Sequence, residues 1–132
     1  MATAHAKQTR DIPRDKWMET LDSLSREHRG DTVTVQFSDP ELGYQVEMRQ
    51  IPLVGLAADL RAGGGARVEV TVGHTDFHHT MHSVFDPRAV RLEEDEQGRP
   101  QVLEVESGNG GKTLVMLRPS EFGEPGALTP KA

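Results

Sequence analysis

Hydrophobic positions recur at helical spacing in one segment, IPRDKWMETLDSLSREHRG, which covers residues 12–30. Its apolar stripe has the period of about 3.6 residues that marks an amphipathic helix, and it consists of Trp17, Leu21, Leu24 and His28. Pro13 suits the first helical position, where the missing N–H is not needed, and Gly30 suits the end. The segment predicts one N-terminal helix, which the single tryptophan anchors to a sheet.

After Gly30 the pattern changes to an alternation of apolar and polar positions, which is typical of strands with one buried face. TVTVQF (32–37) and YQVEMR (44–49) lie on either side of the turn DPELG. Five further segments are predicted as strands, and they are LVGLAADL, RVEVTV, DPRAVRLE, QVLEVES and KTLVMLR. These elements predict an α+β, mostly β fold, in which the N-terminal amphipathic helix packs on a small antiparallel β-barrel or roll of about seven to eight strands. A single-sheet α+β arrangement is the alternative.

Three regions of different composition divide the chain. Residues 1–10 are polar and have no period, so they predict a disordered leader. Residues 11–118 carry all the periodic segments and predict a single globular domain of ordinary size. Residues 119–132 are rich in proline, glycine and small side chains, which predicts a flexible C-terminal tail.

Composition removes several classes of function. The chain of 132 residues has a net charge of −6, which argues against binding to nucleic acid or to anionic membranes, because both depend on Lys and Arg. It has no cysteine, which excludes disulfides, iron–sulfur clusters and thiol catalysis. No apolar run approaches the roughly 18 residues of a membrane-spanning helix, and the N-terminus has no apolar signal-peptide core. We therefore expect a cytoplasmic protein without a cofactor.

Four of the six histidines lie in HTDFHHTMHS, residues 74–83, which raises the question of a metal site. In a helix, His74, His78 and His82 would stack on one face and offer candidate metal ligands. However, the β-branched and aromatic residues around them favour a strand, and the Asp-Pro that follows is typical of a strand ending in a turn. The alternating period of a strand sends neighbouring imidazoles to opposite faces.

The strand interpretation also predicts which histidines face inward. The inner face is predicted to be the one with the large apolar side chains, Phe77, Met81 and Phe85. His79 shares that face, so we expect it to be enclosed and satisfied by a hydrogen bond. His78 and His82 would then point outward about 13 Å apart, and they would share a metal only through a bulge or a dimer.

Other candidate chemistry has less support. Asp59 interrupts an apolar strand just before Arg61, and it is either an outward residue or a buried carboxylate paired with Arg or His. The glycine-rich AGGGARVEV and GGKT lead into strands rather than a helix, so they do not predict a phosphate-binding loop. No Ser–His–Asp grouping has a sequence context such as G-x-S-x-G, so no catalytic residue is predicted.

Five segments carry a family resemblance through their order and spacing, and they are IPRDKWMETLDSLSREHRG, VEMRQIPLVGLAADLR, GGG, HTMHSVFDPRAVRLEEDEQG and LEVESGNGGKTLVMLR. In these segments the chain resembles an uncharacterised family of small bacterial proteins, a domain of unknown function. The resemblance covers Asp11 to Arg118. It implies a stand-alone bacterial cytoplasmic protein, and it supplies neither an activity nor site residues.

These observations leave three hypotheses for the function. The first is a non-enzymatic small β-barrel or roll that acts by self-association, as a homodimer, or by binding a protein partner, because exposed strand edges commonly need a cover. The second is a histidine-rich metal-binding protein or metal-dependent enzyme centred on residues 74–82. The third is a barrel whose open end binds a small apolar ligand. We expect the first, and therefore a protein that is not an enzyme.

Overall fold

The computed structural model describes residues 8–41, 43–61, 65–74 and 78–117. These ranges contain one α-helix, α1 (Trp17–His28), which follows a single turn of 3₁₀ helix at Arg14–Lys16. They also contain eight β-strands, which are β1 (Gln8–Asp11), β2 (Thr32–Asp39), β3 (Tyr44–Asp59), β4 (Arg67–Gly73), β5 (His79–Phe85), β6 (Pro87–Glu94), β7 (Pro100–Ser107) and β8 (Lys112–Met116). Over the described ranges, neither helical segment is long and apolar enough to cross a membrane.

The strands form one antiparallel sheet of eight strands in the order β1-β6-β7-β8-β2-β3-β4-β5. β1 and β5 stand at the two ends of this order, so the described strands do not close on each other. The predicted fold class, mostly β with one N-terminal helix and an antiparallel sheet of about eight strands, is confirmed. A closed barrel is not confirmed, because the sheet is open.

β3 is the strand that turns the sheet. The sequence predicts two strands here, YQVEMR and LVGLAADL, but the structure has one strand of 16 residues. Its first half pairs with β2 and its second half with β4, and the register is irregular near Val33 and near Leu53. Gln50 lies in the left-handed region of backbone space, with a φ of 52°. Irregularities of this kind bend a strand and increase its twist, so β3 carries the sheet from one half to the other.

The hydrophobic core lies inside the bent sheet and beneath α1. The strands contribute mainly alternate residues to it, which are Val33, Val35, Leu53, Leu56, Val68, Val70, Val72, Val84, Val90, Leu92, Leu103, Val105 and Val115. The apolar stripe predicted for the helix is confirmed, because the buried residues of α1 include all four of its members. Trp17 anchors the start of the helix, since its indole N–H donates a hydrogen bond to the backbone oxygen of Ile12 at 2.8 Å.

α1 and the turn that follows it cover an edge of β3. The pairing of β2 with β3 ends at Pro52, but β3 continues to Asp59. Beyond that point the N–H of Leu53 donates to the backbone oxygen of Asp31 at 2.9 Å. The N–H of Leu56 donates to the hydroxyl of Ser25 on α1 at 3.1 Å. The helix therefore satisfies backbone groups that would otherwise form an exposed sheet edge.

The N-terminal boundary differs from the prediction. The expected leader covers residues 1–10, but Gln8–Asp11 forms β1, an exposed edge strand that pairs with β6. The side chain of Arg10 holds this strand in place through two hydrogen bonds to Glu94, at 3.1 and 3.2 Å. Residues 1–7 and the predicted tail at 119–132 lie outside the described residues.

We expect the substitution Leu21→Ala to lower the free energy of unfolding by about 2–5 kcal/mol, because it leaves a cavity under a fully buried helix residue. The control is Met18→Ala in the same helix, which changes an exposed side chain and should alter stability by about 0.5 kcal/mol or less. Urea unfolding followed by circular dichroism measures both. Equal losses in the two variants would contradict the packing of α1 on the sheet.

Candidate functional site

The register between β4 and β5 decides which side chains of the histidine strand face the core. Directly opposed residues of an antiparallel pair share a face of the sheet. The inner residues of β4 are opposed by residues of β5 in three pairs, Val68–Val84, Val70–His82 and Val72–Thr80. Because the three valines are buried, His82 and Val84 lie on the inner face. The predicted assignment of the two faces is therefore wrong for His79–Phe85, whereas Phe77, which the same prediction placed on the inner face, lies outside the described residues.

The opposite face of β5 points to solvent. His79 is exposed and not enclosed as expected. Met81 is 58% exposed and Phe85 is 65% exposed, although their bulk predicted the inner face. The prediction assigned the alternating residues of β5 to the wrong faces, because a shift of one residue moves every side chain of a strand to the other face. Both faces of β5 carry apolar residues, so its own sequence did not determine the phase.

His82 is held on the inner face by two contacts with other strands. Its ring stacks on Phe37 of β2, with the ring centroids 4.0 Å apart and the planes 6° from parallel. Its Nε2 atom forms a hydrogen bond with the hydroxyl of Thr113 on β8 at 3.1 Å. Burial lowers the pKa of His82 from its ordinary value, which favours the neutral imidazole. The strand at one end of the sheet is thus attached to strands in its middle.

A cleft of ≈ 350 Å³ opens beside His82, between β5, the end of β2 and the turn that joins β7 to β8. Its charged lining residues are Asp39, Asp86 and Lys112. Two of its lining residues are bonded to each other, since the N–H of Gly108 donates to the backbone oxygen of Asp86 at 2.9 Å. Its lining also includes the two stacked rings of Phe37 and His82, several uncharged polar residues, and the apolar residues Val84 and Phe85.

The chemical groups of this cleft form an incomplete catalytic arrangement. A nucleophile that a histidine activates also needs a third group to orient the histidine. Among the described residues, His82 forms its hydrogen bond with Thr113, and that threonine is 3% exposed. The carboxylate of Asp86 contacts Arg88 at 3.4 Å, and Asp39 accepts a hydrogen bond from the N–H of Glu41 at 2.9 Å. The geometry therefore places the imidazole of His82 beside the buried hydroxyl of Thr113, and no hydrogen bond within the described ranges joins this ring to a carboxylate.

The structure does not gather the predicted metal ligands. His74 and His78 are exposed, whereas His82 faces inward and its Nε2 atom is bonded to Thr113. These residues are all described, and no group of three or more potential ligands that could hold a metal ion occurs in the described part of the chain. A site completed by other residues or by a second copy stays a prediction.

Asp59 forms ion pairs, but it is half-buried rather than fully enclosed. Its carboxylate lies 3.4 Å from Arg61 and 3.7 Å from Arg67, at the end of the β3–β4 pair where the chain passes from one strand to the other. The pairing with arginine follows one of the two interpretations of the sequence. Its side chain is 29% exposed, so the two ion pairs are partly screened by water.

Sequence reasoning missed the exposed edge of β5. Among the strands that the structure describes, β5 stands at the end of the sheet order and pairs on one side only, with β4. Its sequence, HTMHSVF, contains no Lys, Arg, Asp or Glu. The lack of charge was visible in the sequence. It becomes informative only once the strand is known to be an edge, because charged side chains on an edge strand discourage pairing with another chain.

Over the ranges that the structure describes, fold and site together define a mostly β protein with one α-helix, an open antiparallel sheet and a cleft beside an edge strand without Lys, Arg, Asp or Glu. The chain matches the Family of unknown function (DUF5335) over residues 8–125, and it belongs to that family. An uncharacterized protein of Aquifex aeolicus (strain VF5) is 28% identical over 113 residues, which are 85% of this chain and 94% of that protein. No solved structure matches the chain at a significant level. The family resemblance seen in the sequence is confirmed, and neither match carries an activity.

The lowered pKa of His82 predicts how stability depends on pH. Between the pKa of the folded chain and the ordinary value of 6.5, the unfolded chain binds the proton more readily. The contribution of His82 to the free energy of unfolding is therefore fully present above about pH 6.5. It is lost as the pH falls from there to the pKa of His82 in the folded chain. We expect the free energy of unfolding to decrease less between about pH 7.5 and about pH 5.5 in His82→Gln than in the wild type. Urea unfolding of both proteins at both pH values measures this change in the free energy of unfolding.

His79→Gln is the matched control, because this histidine lies in the same strand but is exposed on the outer face. It should keep the pH dependence of the wild type. Identical pH dependence in His82→Gln and the wild type would show that burial of His82 does not limit its protonation.

Proposed function

We propose that this protein is a non-enzymatic binding protein that acts by self-association, with the free edge of β5 as its interface. The observation that carries the proposal is an uncharged edge strand that exposes two large apolar side chains, Met81 and Phe85. Edge strands present unpaired backbone groups that pair readily with another strand. An edge of this kind supports a function in protein binding.

The two ends of the sheet differ in how they are protected. β1 carries Arg10 and Asp11, which form ion pairs with Glu94 and Arg91 of β6. Charged side chains on an edge strand discourage pairing with another strand. β5 has no such residue between His79 and Phe85. The contrast indicates that β5 is the end of the sheet suited to contact with protein.

The apolar side chains of β5 give this edge its driving force. Met81 and Phe85 lie on the same face of the same strand, at 58% and 65% exposure. Complete burial of a Met or Phe side chain stabilises by about 1.5–3 kcal/mol. Covering both side chains therefore favours association beyond the backbone hydrogen bonds that strand pairing would add.

A second copy fits this edge better than an acidic or basic partner. A strand without charge can oppose an identical strand without placing like charges together. Identical surfaces that meet across a two-fold axis form a closed dimer, whereas a pairing of β5 with β1 would leave further edges open. The net charge of −6 opposes association only weakly at physiological salt, where charges more than about 8 Å apart are screened.

The other two hypotheses have less support. A metal-dependent function centred on residues 74–82 would need ligands that the described residues do not bring together. A site for a small apolar ligand fits poorly with a cleft whose lining includes Asp39, Asp86 and Lys112.

We expect the wild type to be a dimer in the micromolar range and Met81→Lys to weaken its association by at least about a hundredfold, because each copy loses a buried apolar side chain and the dimer therefore loses two. Sedimentation equilibrium and light scattering at concentrations of about 1 to about 100 μM measure the dissociation constants. The matched control is Met18→Lys on α1, since Met18 is 56% exposed and Met81 is 58% exposed.

Met18→Lys should associate as the wild type does. The proposal fails if the wild type stays monomeric throughout this concentration range, or if the two lysine variants weaken association equally. Circular dichroism of both variants checks that they are folded.

A further inference from the structure

We propose that β5 of a second copy pairs antiparallel with β5 about Ser83, so that Met81 packs against the partner's Phe85 on both sides of the two-fold axis. This inference rests on the proposed function, and it specifies the register of the interface. Three observations support this register. They are the point at which the unpaired edge of β5 ends, the division of its residues between an inner and an outer face, and the positions of the charged residues on β4.

The free part of the edge ends at Phe85. At the next residue, the N–H of Asp86 donates to the backbone oxygen of Ala66 at 3.3 Å. The backbone oxygen of Asp86 accepts a hydrogen bond from the N–H of Gly108 at 2.9 Å. The first of these bonds continues the pairing with β4, whereas the second joins Asp86 to the turn between β7 and β8. Because the backbone oxygen of Asp86 is already bonded there and its φ is 53°, an added strand cannot continue past Phe85.

The faces of β5 exclude half of the symmetric registers. Directly opposed residues share a face, and β5 turns His82 and Val84 inward and Met81 and Phe85 outward. A two-fold axis that passes between two residues would set an inward residue against an outward one. The axis must therefore pass through a residue, so that the inner faces of both copies lie on the same side.

Among the remaining registers, Ser83 makes the best match. An axis at Ser83 opposes Met81 to the partner's Phe85 within β5 as the structure defines it. An axis at His82 would instead oppose Phe85 to the partner's His79, and would set Met81 against a serine. Sulfur–aromatic contacts stabilise by about 0.3–1.5 kcal/mol, and the Ser83 register makes two of them.

The same register leaves compatible residues on the inner face and in the neighbouring strand. His82 is opposed to the partner's Val84, which are both inward residues. On the outer face, β4 sets Arg67 beside Phe85 and Glu69 beside Ser83. Glu69 and the partner's Glu69 would be three strand spacings apart, about 14 Å, where salt screens their repulsion. No like charges are therefore directly opposed.

Disulfide trapping tests this register, and the chain suits it because it has no cysteine of its own. In the proposed register, Ser83→Cys sets two identical residues opposite each other, with Cα atoms about 4.5–5.5 Å apart. This distance lies within the range of about 4.4–6.8 Å that a disulfide spans. Met81→Cys should not link to itself, because its two copies would be about 13 Å apart along the strands. A mixture of Met81→Cys and Phe85→Cys should form a linked heterodimer.

The control is Met18→Cys, an exposed position on α1. Covalent dimer is measured on non-reducing gels during mild oxidation. We expect Ser83→Cys to cross-link at least about tenfold faster than Met18→Cys and Met81→Cys, because the interface raises the effective concentration of the thiols. Light scattering of the wild type is measured alongside.

Each outcome is decisive. A wild type that dimerises while Ser83→Cys reacts no faster than Met18→Cys overturns the register and leaves the proposed function standing. Faster self-linking of Met81→Cys than of Ser83→Cys also overturns it, since another register then applies. A wild type that is monomeric overturns both the register and the proposed function.

Discussion

The path of β3 through both halves of the sheet is the constraint on which the remaining structure depends. Because its first half pairs with β2 and its second half with β4, the sheet bends and β5 returns to the middle strands. The hydrogen bond between His82 and Thr113 and the stacking on Phe37 fix β5 in that position. α1 covers the part of β3 that is not paired with β2. The core, the cleft and the free edge all follow from this one bent strand.

The chemistry of the sheet is distributed unevenly between its two ends. Near β1, Arg91 of β6 contacts Asp11 and also binds Glu104 and Glu106 of β7. The hydrogen bonds from Arg91 lower the pKa of Glu106 and raise that of Arg91 itself. At the other end, β5 presents apolar side chains and a backbone without charged neighbours in its own sequence. The first end carries charges that discourage strand pairing, whereas the second is the end for which we propose contact with another protein chain.

Local periodicity predicted most of the secondary structure, and it failed where pairing rather than pattern decides. The stripe of α1 was predicted because its four members recur within a single helix. β1 was missed, since QTRD is exposed along its whole length and is a strand only through its pairing with β6. The continuity of β3 was missed because the bulge around Gln50 hides it. The sequence left Asp59 as either an outward residue or a buried carboxylate paired with Arg or His, and the structure shows a half-buried carboxylate next to Arg61 and Arg67.

The sequence by itself determined one amphipathic helix, a series of alternating strands, the uncharged segment HTMHSVF and the absence of thiol chemistry. The tertiary structure decided which face of that segment is buried and that the segment is an edge. A two-residue period requires neighbouring side chains to alternate, but both faces of β5 carry apolar residues. Only the pairing with the buried valines of β4 selects between them, and it turns His82 inward while Met81 and Phe85 stay in water.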